Sequence, residues 1–177
     1  MGALVLFGVP PEEYWPYDEA GFDAEPPAFC YSFADNFKAL KYFRLDPPNG
    51  AADALLRRVK YYLAAGLPAM FGFTVYTSIA QADTNGGIIP FPTRTERVEG
   101  GHAIVAVGYD DARKITNTYK DGIETKGAFL IRNSWGTTWG EDGYGWLPYQ
   151  YALAGIAQDW WTLTKLTWMQ TGEFVAP

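Results

Sequence analysis

One histidine and one cysteine stand among 177 residues, and each scarcity excludes a class of chemistry. The lone thiol, Cys30, makes no intrachain disulfide, and one His with one Cys falls short of a closed zinc site unless several carboxylates join them. No metal and no cofactor is implied. Lysine and arginine total 14 against 20 acids, a net charge of −6 without a cluster of cations. That balance argues against nucleic acid and anionic membrane as partners, because both are held by basic patches. Long apolar runs are also missing. The stretch from Met1 to Gly8 has no basic lead and meets Pro10-Pro11-Glu12-Glu13 too soon for a signal peptide or a membrane span. The compartment therefore stays open. No Gly-x-Ser-x-Gly elbow offers serine chemistry. No acid sits in the apolar strand-end setting that raises a glycosidase carboxyl; Glu141 and Asp142 read as solvated loop residues.

What is plentiful is aromatic: 17% of residues, with seven Trp and twelve Tyr, in a chain that is 48% hydrophobic. This length buries one sizeable core. Aromatic side chains pair a large apolar body with a polar handle, so their abundance suits a chain that packs against something.

Residues 1 to 8 read as the end of a helix stopped by Gly8-Val9-Pro10-Pro11. Pro26 to Phe43 is ambiguous between strand and short helix. From Ala51, the spacing of Leu55, Leu56, Val59, Tyr62 and Leu63 predicts an amphipathic helix, with Arg57, Arg58 and Lys60 largely off the apolar stripe and Gly66 as its stop. Pro68 to Val75 reads as a strand and Asp83 to Gly87 as a turn. Two further strands, about His102 to Tyr109 and Gly127 to Asn133, flank a polar run from Asp110 to Lys120. If they pair antiparallel with Gly108 opposite Gly127, His102 lies opposite Asn133. Gly143 to Leu147 and Trp160 to Trp168 read as later strands, joined by a short helical link over Tyr149 to Ala157.

Histidine is the side chain whose ordinary pKa suits proton transfer near neutrality, so such chemistry here runs through His102. Taken alone, His102 is as readily a structural or surface histidine, Trp135 and Trp139 core aromatics, and Asn133 a strand-end cap or turn former. Together they are more specific. Gly100-Gly101-His102-Ala103 and Asn133-Ser134-Trp135-Gly136-Thr137-Thr138-Trp139-Gly140 resemble the His and Asn segments of papain-like cysteine peptidases, and Tyr14-Trp15-Pro16-Tyr17 resembles the family's Tyr-Pro-Tyr stretch. The resemblance spans about Met1 to Trp168, and is strongest from Gly86 to Gly145.

What the resemblance implies is an α+β fold: the papain-like right-hand antiparallel β-barrel or sheet domain with flanking helices, and most of the left-hand helical domain missing. Residues 1–17 would end the left-hand part and 18–177 form the β-rich part. His102 would be the acid and base, and Asn133 the group that orients its ring without adding charge. Trp135 and Trp139 would shield their hydrogen bond from water; Gly136, Gly140 and Gly143 would fit a tight loop with close backbone approaches, and Gly101 would support the site. The family's Gln and Cys-Gly-x-Cys-Trp entry are not in the chain. Cys30 is a poor substitute: His102 follows it by only about half of the roughly 130 to 150 residues the family uses, the Tyr-Pro-Tyr-like stretch precedes it, and no oxyanion Gln sits before it.

The expectation is a cysteine peptidase of which this chain supplies the His and Asn half. It would be inactive alone, and act on peptide or protein substrates once an upstream segment completes it. Of the specificity pocket, only Gly101, Ala103 and the strand near Val75 would come from this chain. A cleft wall left uncovered is an apolar face, which predicts a homo-oligomer. The alternative is a non-catalytic papain-like binding or assembly module, since a fold can keep a site's residues for packing reasons.

Overall fold

The structure of the chain, a computed structural model, describes residues 1–166. It divides into two compact units, Met1–Tyr42 with the residues from Leu163 onward, and Phe43–Thr162.

In the first unit the expected helix end is present as α1, Gly2–Leu6, and the ambiguous segment after Pro27 begins as a helix, α2, Ala28–Ala34. Phe29 and Phe33, one turn apart on α2, stack at 5.6 Å, and Tyr14 sets its ring edge-on against both. Cys30 and Ala34 lie buried beneath this cluster. A single turn, Asp35–Phe37, then leads into β1, Ala39–Arg44. The Pro26-to-Phe43 stretch is thus helix first and strand second.

The sheet has its strands ordered β1-β6-β2-β3-β4-β5; β2 Ala69–Tyr76, β3 Val98–Thr116, β4 Glu124–Arg132 and β5 Tyr144–Pro148 belong to the second unit, as does β6, Ala157–Leu166, up to Thr162. The neighbours β2/β3, β2/β6, β3/β4 and β4/β5 all pair antiparallel. The expected strand from Trp160 to Trp168 is present as far as Leu166; Thr167 and Trp168 lie outside the described residues. The helical link before it is a single turn, α4, Gln150–Leu153.

The amphipathic helix forms where its spacing predicts, as α3, Ala52–Ala64, burying Val59 and Leu63. Gly66 stops it. The Gly66 amide donates to Leu63 O and the Leu67 amide to Tyr62 O, the paired bonds that satisfy the last carbonyls of a helix. Val59 and Leu63 join a core of Leu45, Phe71, Phe129, Ile131, Leu147 and Trp160. Within it Trp160 stacks on Phe71 at 3.8 Å. Side chains of this size each contribute about 1.5–3 kcal/mol on full burial.

Two expectations about the β3–β4 hairpin need correction. The polar run from Asp110 is not mainly a loop: β3 continues through it to Thr116, and β4 starts at Glu124. Polar composition did not mark a turn because this arm projects past the core and has little apolar surface to alternate; Lys114 pairs with Glu124 at 2.8 Å across it. The register also differs. Gly108 pairs with Leu130, not Gly127, and the ladder ends at Val105 opposite Arg132. Continued by one residue, it places Ile104, rather than His102, opposite Asn133.

The register shifts between Asp110 and Lys114, where one strand carries more residues than its partner opposite Gly127. Lys60 on α3 binds the Asp111 carboxylate through both oxygens, at 2.6 and 2.8 Å, and the Tyr149 hydroxyl donates to it at 2.8 Å. The Lys60 bond, then the Tyr149 bond, holds the Asp111 carboxyl below its ordinary range. The Tyr149 ring lies so close to Gly127 that a β-carbon there would meet it at 2.5 Å, on a backbone with φ +85°. Gly127→Ala should therefore destabilise the chain by about 2–3 kcal/mol, combining overpacking with left-handed strain. Urea unfolding measures it; a cost below about 0.5 kcal/mol would mean that Tyr149 moves aside freely.

Candidate active site

On β3 the side chains alternate, so His102 shares the inner face with the buried Ile104 and Ala106. Across the ladder His102 is paired with Phe73 of β2, whose ring meets the imidazole edge-on at 5.9 Å. Asn133 follows the last residue of β4 and continues the face of the buried Phe129 and Ile131. Diagonal neighbours on one face remain within reach of long side chains, and the two functional groups meet: His102 Nε2 lies 2.8 Å from Asn133 Oδ1.

That contact fixes the ring's protonation pattern. Asn133 Oδ1 also accepts the Ser134 backbone N–H at 2.8 Å, so the amide oxygen, not the NH2, must point toward both. An amide oxygen only accepts; His102 Nε2 therefore carries a proton. In the neutral imidazole this leaves the lone pair on Nδ1, which makes no hydrogen bond among the described residues. Asn133 is itself anchored by its backbone N–H, which donates to Gly143 O at 2.9 Å, and it is only 9% exposed.

Trp135 stacks on the His102 ring at 4.9 Å with 24° between planes, and is 48% exposed. Trp139, 8% exposed, stands perpendicular to Trp135 at 5.6 Å and supports it from behind. The imidazole is thereby held between Trp135 and the edge of Phe73. The loop returns sharply: the Gly143 N–H donates to Trp139 O at 2.8 Å, and any β-carbon on Gly140 would overlap the Tyr144 carbonyl. Gly136 stands at φ +80° in open space, and Gly101 lies opposite Thr74 with Phe73 O as its nearest neighbour. Glu141 and Asp142 are exposed, as read from the sequence.

Cys30 lies in the first unit, buried on α2, with its thiol donating to Tyr14 O at 3.4 Å. Among the described residues no group of three or more His, Cys, Asp or Glu is placed to hold a metal ion.

The sequence reading missed Phe73 as a wall of the His102 site, although the alternation of Phe71 and Phe73 along a strand carried the signal. It also missed the support ahead of β3. Glu96 accepts the Ser78 and Thr93 backbone N–H groups and the Asn117 amide, each at 2.8 Å. Asn117, fully buried, accepts in turn from Gln81 Nε2 at 2.9 Å. This knot ties the tip of the β3–β4 hairpin to the segment that feeds His102. Burial alone would raise the Glu96 carboxyl, but the hydrogen bonds from Ser78, Thr93 and Asn117 outweigh it and hold it below the ordinary range.

A carboxyl depressed in the folded state contributes stability that is complete above its unfolded value and lost as pH falls through its folded one. Glu96→Gln should cost about 2 kcal/mol at neutral pH, the scale of hydrogen bonds to a charged group. In urea unfolding the gap should close in acid, below the folded-state value; a gap independent of pH would assign the loss to packing instead.

Comparison with known proteins identifies the family. The family profile for papain family cysteine proteases matches residues 8–163. An uncharacterised peptidase C1-like protein of Acanthamoeba polyphaga mimivirus is 35% identical over 164 residues, covering 91% of this chain and 49% of that protein. A cathepsin B-like protein of Giardia intestinalis, CP3, is 40% identical over 82 residues, 46% of this chain and 23% of its own length. Among solved structures, xylellain, a cysteine protease from Xylella fastidiosa, superposes with a TM-score of 0.68 at 35% identity, over 93% of this chain and 59% of that one. The chain thus spans about half the length of the mimivirus relative, or less of the other. With a family match over most of its length and a fold to go with it, the chain belongs to the papain family of cysteine proteases.

Proposed function

We propose that this chain carries the acid–base half of a peptide-bond-cleaving site. His102 is the group that moves protons, Asn133 the group that orients it, and the nucleophilic thiol is supplied by a segment outside these residues. The observation that carries this reading is the 2.8 Å contact between His102 Nε2 and Asn133 Oδ1. It occupies one ring nitrogen and leaves the other, Nδ1, with a lone pair and no hydrogen-bond partner among the described residues.

A thiol brought to Nδ1 would pass its proton to the imidazole, giving a thiolate beside an imidazolium. The thiolate would attack the peptide carbonyl carbon, the imidazolium would protonate the departing amine, and water would then release the acyl group from sulfur. Asn133 stabilises the imidazolium orientation without becoming charged. Cys30 fits the nucleophile's role poorly, because its sulfur is buried and engaged with Tyr14 O. The Ser134 hydroxyl is disfavoured as well; its backbone, not its side chain, touches the His–Asn pair.

The purified chain should show no turnover of fluorogenic peptides under reducing conditions. Joining it to the Cys-bearing segment of a papain-family relative should restore turnover. In the restored enzyme, His102→Ala should lower kcat by about 10²–10⁴, the usual contribution of a positioned acid–base group. Asn133→Ala should cost about tenfold, the loss of one hydrogen bond to a charged ring. Turnover by the chain alone that disappears in Cys30→Ala would overturn the reading. A complemented enzyme indifferent to His102 would also overturn it, and no turnover after complementation would favour a non-catalytic module.

A further inference from the structure

We propose that the first unit carries a docking site for a basic, extended polypeptide segment, separate from the His102–Asn133 site and independent of its chemistry. A cavity of about 660 Å³ opens within this unit, and Trp15, Tyr17 and Phe22 line it together with Glu12 and Asp18. Its volume lies within the range of about 300–1,000 Å³ typical of binding pockets. Tyr17 and Phe22 are 80% and 82% exposed. Rings left this open in water are what a binding surface presents.

The chemistry of the occupant follows from charge. Between Met1 and Phe37 the sequence has seven acids, Glu12, Glu13, Asp18, Glu19, Asp23, Glu25 and Asp35, and no lysine or arginine. Residues 43–162, in contrast, hold twelve acids and eleven bases. The chain's net negative charge is thus concentrated beside the aromatic cavity. The two carboxylates that line the cavity are half-used. Glu12 Oε1 accepts the Tyr17 N–H at 3.2 Å and Asp18 Oδ1 the Ala20 N–H at 3.0 Å. The second oxygen of each has no hydrogen bond or ion pair among the described residues. A backbone donor fixes each group's direction and leaves an acceptor turned outward.

Ring faces attract cations, and a guanidinium stacks on an aromatic plane while forking onto a carboxylate. Arginine is therefore the preferred inserting side chain. The acids extend from residue 12 to residue 25, well beyond the two in the cavity, so the field suits several basic residues in one segment rather than a single small amine. Two copies of this chain meeting through this face would set like charge against like charge, which disfavours a second copy as the occupant.

Calorimetric titration with acetyl-Arg-Ala-Arg-Ala-Arg-amide, beside its isosteric uncharged citrulline counterpart, tests the proposal on the intact chain. The arginine peptide should bind, more weakly as salt rises, and the citrulline peptide should not. Glu12→Gln with Asp18→Asn should weaken binding about tenfold, the combined loss of two surface charge contacts. Trp15→Ala should weaken it comparably, and Trp135→Ala should leave it unchanged. Should Trp15→Ala fail to fold, the charge pair decides, because both carboxylates lie at the surface. Equal binding of the two peptides, indifference to the charge-pair variant, or loss in Trp135→Ala would overturn the proposal. So would sedimentation in which the cavity variants turn a dimer into a monomer, since a second copy would then be the occupant.

Discussion

Asn133 Oδ1 is an acceptor held between two donors, the Ser134 N–H and His102 Nε2, and the site is organised around it. The backbone donor prevents the amide from turning over. The fixed oxygen sets the tautomer of the ring, and the tautomer decides which nitrogen is left to take a proton. Each requirement falls on a different part of the chain. β3 and β4 must be neighbours, the residue after β4 must face inward, and the loop beyond it must return within ten residues so that Gly143 O meets the Asn133 backbone N–H. Trp135 and Phe73 then prevent the ring from swinging out of reach. The same low-dielectric enclosure strengthens the bond and raises the cost of leaving it unmade.

The meeting of His102 and Asn133 was legible in the sequence even though the pairing used to reach it was wrong. Past the register shift between Ala106 and Gly108, the ladder sits two residues away from the register expected, with Ile104 rather than His102 in line with Asn133. An error of two preserves the face; an error of one would have turned every inner side chain of the strand outward. α3 with its stop and the central strands were legible because each buries a periodic apolar face; the fold class was legible only through the resemblance carried by the His102 and Asn133 segments. The outer arm of the β3–β4 hairpin was not, since most of its side chains are polar and its stability comes in part from partners remote in sequence. Lys60, 51 residues from Asp111, is the clearest of these, and Arg113 over the Trp146 ring is another.

The Glu96 knot marks a second boundary of what a sequence conveys. Its members, Ser78, Gln81, Thr93 and Asn117, are ordinary loop residues with no periodicity, and they converge only after the sheet has brought the hairpin tip back to the segment before β3. A polar cluster of this kind works by complete satisfaction. Glu96 accepts three donors at 2.8 Å, and the Asn117 amide both donates and accepts. Removing one member strands the others in a partly buried site, so the cluster specifies one arrangement more strongly than apolar contacts of equal number.

The two units differ in the physics they offer a ligand. In the second, charges nearly balance and the His102–Asn133 pair acts over hydrogen-bond distances, where orientation decides everything and salt matters little. In the first, acids without any counter-cation before Lys38 create a field that reaches to about a Debye length, roughly 8 Å at physiological ionic strength. Such a field gathers basic chains but cannot place a scissile bond. Hydrogen bonds aimed by a fixed tautomer can act on a bond but gather nothing from a distance. On the proposed readings, capture would answer to surface charge in the first unit, and chemistry to the Asn133 side-chain amide in the second.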